Sequence, residues 1–82
     1  MPWKDIVWNH GEGGNVDHIT DNGLSIEDVE YVVMNAGRYG KSRSSERPVL
    51  FGFTEVGDYV CVVYEEIDDI TIYPVTADIL ED

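Results

Sequence analysis

The chain has 82 residues, 43% apolar, 11% aromatic and 27% charged, which fits one small folded domain over residues 1–82 and excludes wholesale disorder. Seventeen acidic residues against five basic ones leave a net charge of −12, so the body as a whole repels nucleic acid and anionic membrane. The longest unbroken apolar run, Tyr59 to Tyr64, is far short of the roughly 18 residues of a membrane helix, and the single Cys61 excludes an intrachain disulfide framework.

Asp5 to Trp8 reads as a short strand with Ile6 and Trp8 on one face, and no apolar stretch follows Lys4 and Asp5 to suggest a secretory leader. A cytoplasmic, reducing setting fits this and the cysteine usage. Gly11, Gly13 and Gly14 then form a flexible turn. Asn15 is the predicted N-cap of a brief helix through Asn22, with Val16 and Ile19 inward and Gly23 just past its end. Ser25 caps a second helix, with Asp28 three residues on as a shortened capping box. Ile26, Val29, Val33 and Ala36 recur at helical spacing, and Gly37 is expected to stop the helix.

Beyond residue 47 the period changes to alternation. Val49 to Thr54 reads as a strand opened by Pro48, Glu55 to Asp58 as a hairpin turn, and Tyr59 to Glu65 as a strand apolar on both faces and therefore central. Glu66 to Asp69 turns the chain into a last strand, Ile70 to Thr76, where Pro74 demands an edge or a bulge because it cannot donate to a ladder. The expected fold is α+β, in the order β-α-α-β-β-β, with two helices on one face of a small antiparallel sheet. Val29, Val33, Val62 and Ile72 should be buried.

Charge is laid out unevenly. Residues 48–82 carry no Lys or Arg, whereas residues 38–47 hold Arg38, Lys41, Arg43 and Arg47 against Glu46 alone, in a stretch rich in Gly and Ser. Read as a flexible basic loop, this segment can hold an anion, since arginine offers a planar fork of donors to phosphate oxygens. The plainer alternative is a solvated loop whose arginines pair with nearby carboxylates. His10, Glu12, Asp17 and His18 match no metal-ligand spacing, and Glu65, Glu66, Asp68 and Asp69 lack the frame of a calcium loop, so neither a metal nor any other cofactor is expected. Cys61 reads as a small core residue, and Tyr59, Tyr64 and Tyr73 as sheet packing.

The order Trp8, His18-Ile19 and Asp21-Asn22-Gly23-Leu24-Ser25-Ile26-Glu27-Asp28-Val29-Glu30 resembles the BrnT-type toxins, small ribonucleases of the RelE-like superfamily. Gly52-Phe53-Thr54-Glu55-Val56-Gly57, Val60 to Glu65 and Tyr73-Pro74-Val75-Thr76-Ala77 are similar to that family's hairpin and last strand, so the likeness runs from Trp8 to Ala77. It implies two helices against an antiparallel sheet, metal-independent RNA cleavage and neutralisation by a cognate antitoxin. Asp58 and Asp78 stand where the family usually has arginine, and Ile79-Leu80-Glu81-Asp82 replaces a basic C-terminal helix.

Two functions follow. A toxin-like ribonuclease would use Arg43 and Arg47 to stabilise phosphorane charge, His18 as base or acid, and Arg38 and Lys41 to grip the RNA backbone. A non-catalytic domain would keep the fold and bind a basic protein partner through its acidic surface.

Overall fold

Ser25 and the apolar spacing behind it make a helix, the alternation after residue 47 makes strands, and the computed structural model, which describes residues 5–42 and 46–80, follows that division. The elements run β1 (Asp5–Ile6), α1 (Asn15–Asp21), α2 (Ile26–Met34), β2 (Arg38–Lys41), β3 (Pro48–Phe53), β4 (Tyr59–Glu66) and β5 (Thr71–Ile79). They build an α+β fold in which both helices pack on a five-stranded mixed sheet of order β1-β5-β4-β3-β2. The pairings β2–β3, β3–β4 and β4–β5 are antiparallel, while β1 lies parallel to the start of β5. Two elements thus go beyond the expected meander. The short first strand adds a parallel edge, and the start of the basic segment is a strand rather than a loop.

Helix α2 is capped as its residues dictate. Ser25 Oγ accepts from the Asp28 amide, and Asp28 Oδ2 accepts from the Ser25 amide, both at 3.1 Å. The helix ends earlier than Gly37, because Asn35 terminates it: its Nδ2 donates to the Tyr31 carbonyl at 2.9 Å. Gly23, at φ +85°, follows α1 in the left-handed conformation that an L side chain resists.

Asn15 is not the N-cap that was expected. Gly14 takes that position, and Asn15, only 1% exposed, turns its amide inward. Its Oδ1 accepts from the Asn9 amide at 2.7 Å, while Nδ2 donates to the carbonyls of Val7 at 2.9 Å and Pro74 at 2.8 Å. The physical reason lies in β5. Strand β1 covers only Thr71 and Ile72, which leaves the rest of that strand's outer side without a ladder partner. Asn15 and His18 of α1 and its C-cap residue Asn22 supply donors instead, to Pro74, Val75 and Ala77 respectively. Pro74 sits beside a bulge, as its missing N–H requires: Val63 pairs with Thr76 but Tyr64 pairs with Pro74, so Val75 is the extra residue.

The core lies between the helices and one side of the sheet. Ile19, Val29, Val32, Leu50, Val60, Val62 and Ile72 are fully buried there, with Val33 at 2% exposure. Gly52 lets α2 close on β3, since a Cβ at that position would meet the Val32 carbonyl oxygen at 3.2 Å. The alternate residues Phe51, Phe53, Tyr59, Cys61 and Val63 point to the opposite side, which no helix covers among the described residues. No described helix is long and apolar enough to cross a membrane.

Candidate functional site

The basic segment folds along the sheet edge. Arg38 to Lys41 pair with Phe51 to Pro48, and the connection is drawn together by the Ser42 amide donating to the Arg47 carbonyl at 2.8 Å. Arg38 and Lys41 therefore stand at the two ends of β2, and Arg47 stands just before β3. All three cations lie on this side of the molecule. Arg43, the fourth residue of interest, lies outside the described residues.

Arg38 projects on the uncovered side of the sheet, where its guanidinium carbon lies 5.8 Å from the centroid of the Phe51 ring. Phe51 stacks on Tyr59 at 6.0 Å with 16° between the planes, and Phe53 leans on the same tyrosine at 4.8 Å and 47°. Together with Asn35, Gly37 and Gly52 these four side chains bound a recess of about 310 Å³. Phe53 is 58% exposed, an unusual amount for a phenylalanine in a strand, and it offers a flat ring to whatever enters. The recess thus combines a ring surface and a delocalised cation. That set suits a planar, anionic ligand.

Arg47 is held by Glu65, Nε to Oε1 at 3.0 Å, in an ion pair with both side chains nearly half exposed. Such a pair contributes at most about 1 kcal/mol. Lys41 is exposed and makes no ion pair among the described residues.

His18 is elsewhere. It sits on α1, over β5, three strands away from β2, and its Nδ1 donates to the Val75 carbonyl at 3.1 Å. The structure brings Arg38, Lys41 and Arg47 to one edge and does not bring His18 to them.

Asp58 and Asp78 also have places. The Asp58 amide donates to Thr54 Oγ1 at 3.0 Å and closes the β3–β4 hairpin. The Asp78 carboxylate accepts from Asn22 Nδ2 at 2.9 Å and lies across from Cys61. Burial, with Asp78 adding to it, pushes the Cys61 thiol above its ordinary value, so it stays protonated and weakly nucleophilic at neutral pH. Asp17 accepts from the Gly13 amide at 2.9 Å within the glycine-rich turn. No three His, Cys, Asp or Glu side chains converge as a metal site among the described residues.

The aromatic ledge of Phe51, Phe53 and Tyr59 was not singled out from sequence. Its signal was present: Phe51 and Phe53 flank Gly52 two residues apart, so once Gly52 faces the helices both rings must face away. No family model, curated protein or solved structure matches the chain.

Proposed function

We propose that this chain is the toxin-like component of a toxin–antitoxin pair, of the BrnT type within the RelE-like ribonucleases, and that it engages single-stranded RNA at the β2–β3 edge. The observation that carries this reading is the Arg38, Phe51, Phe53 and Tyr59 recess beside the cations of the same edge. An unpaired base stacks on the exposed Phe53 ring, which Tyr59 supports, a contact worth about 1–3 kcal/mol per base. The adjoining phosphates meet Arg38, Lys41, Arg43 and Arg47, each charge-assisted contact contributing about 1.5–3 kcal/mol. Duplex RNA, whose bases are already stacked, gains nothing from the ledge.

One observation favours a second reading. His18 donates to the Val75 carbonyl as one of three side chains of α1 and its C-cap serving the outer side of β5, far from the cations. A domain that keeps this fold without cleaving RNA, and binds a basic protein through its acidic surface, needs no such convergence.

The test is purified protein with labelled single-stranded RNA at low salt, beside Arg38→Ala, Phe53→Ala and the double variant Arg43→Ala/Arg47→Ala. Retention and cleavage by the parent chain, weakened by each substitution with the thermal midpoint little changed, supports the first reading. Retention without cleavage favours an RNA-binding domain of the same fold. Neither retention nor cleavage rejects the RNA reading and leaves the protein-binding one.

A further inference from the structure

A second recess lies where β1 meets α2 and shares Asn35 with the first. It holds about 380 Å³ and is lined by Ile6, Glu27, Glu30, Tyr31, Met34 and Asn35. Four of these residues follow the helical spacing 27, 30, 31 and 34, so they form one continuous strip of α2. The C-terminal half of the strip is apolar: Tyr31 is 42% exposed and Met34 49%. Tyrosine brings a large ring at low entropic cost, and methionine adapts its shape to what it meets.

The rim has the opposite character. Glu27 is exposed, and Glu30 is held in place by Trp8, whose Nε1 donates to Oε2 at 3.1 Å. Neither carboxylate forms an ion pair among the described residues. An apolar strip bordered by two carboxylates that meet no cation among the described residues selects its occupant by charge. A second copy of this chain, at −12, is repelled, and so are RNA and an anionic membrane.

We infer that this groove receives a basic amphipathic segment of a partner protein, with a large apolar side chain seated between Tyr31 and Met34 and Lys or Arg on Glu27 and Glu30. The inference rests on the second reading above, in which the acidic surface receives a basic protein, and it gives that surface a defined place. The charge of the whole body draws such a segment in, and the apolar strip then discriminates among cationic sequences.

The experiment titrates the full chain with a short amphipathic peptide of leucine and arginine, followed through its backbone amide resonances. Two control peptides carry glutamate in place of arginine, or glycine in place of leucine. The expected result is binding of the leucine–arginine peptide alone, with shifts concentrated in β1 and α2. Met34→Ser should weaken it at least tenfold and Glu27→Gln about threefold, leaving the thermal midpoint near that of the parent. Equal binding of the glycine–arginine peptide, or an unchanged affinity in Met34→Ser, overturns the groove by showing attraction to charge alone. Shifts confined to other surfaces also overturn the groove while the protein-binding reading stands. No binding by any cationic peptide removes both.

Discussion

Replacing Asn15 by serine separates two roles that the same residue could have. Serine is as good an N-cap as asparagine, so a simple capping residue would tolerate the change almost without cost. In the structure, however, the Asn15 amide spans from the Asn9 amide and the Val7 carbonyl to the Pro74 carbonyl, across a site only 1% exposed. A serine hydroxyl is too short to reach all three. Three hydrogen bonds at a net value of about 1 kcal/mol each put the loss near 3 kcal/mol, and the buried Pro74 carbonyl left without a donor raises it further. A domain of this length has a total stability of roughly 4–12 kcal/mol, so the effect is a large share of the whole. Urea denaturation of parent and Asn15→Ser chains measures it directly, and the midpoint should fall while the slope stays constant. A change below about 0.5 kcal/mol would refute the reasoning, because it would mean that the amide spans nothing of consequence.

Val33→Ala should destabilise the fold by about 1–3 kcal/mol, since the side chain is 2% exposed within the main cluster and its loss leaves a cavity; calorimetric or urea unfolding checks it. The Asp68 carboxyl is held below the usual carboxylate range, first by the Ile70 amide donating to it at 3.0 Å and then by Thr71. Because its folded value is depressed, the contribution is complete above the unfolded value near 3.8 and is lost as pH falls through the folded one. The protection of the Ile70 amide, taken relative to the intrinsic exchange rate at each pH, should therefore fall below pH 4 in the parent chain, and Asp68→Asn should flatten that dependence.

Where local residues carried the signal, the elements were legible. The Ser25 and Asp28 pair named the start of α2, the run Tyr59 to Tyr64 named the central strand, and Pro74 announced the bulge beside it. Strand β2 was not legible, because Arg38-Tyr39-Gly40-Lys41 has no apolar alternation of its own and owes its conformation to the ladder with β3. The parallel pairing of β1 joins Asp5 to Thr71, a contact between distant parts of the chain that no window around either residue contains. Asn15 misled for a related reason: a residue type favoured at helix starts was recruited by a carbonyl 59 positions away. The candidate site divided in the same manner. Charge clustering located the cationic edge, but the rings beside it became visible only once the helices fixed which side of the sheet was covered.

Strand β2 forms the outer margin of the sheet, and its residues are all exposed. Such a margin offers free backbone donors and acceptors to any passing strand, including the same strand of a neighbour. Antiparallel self-pairing of Arg38 to Lys41 would bring each cation opposite the cation of the other chain, and like charges set directly across a ladder destabilise it. The positive residues therefore guard the margin against fibre-like growth. A chain stripped of them should be more prone to self-association in concentrated solution, even though its net charge becomes more negative.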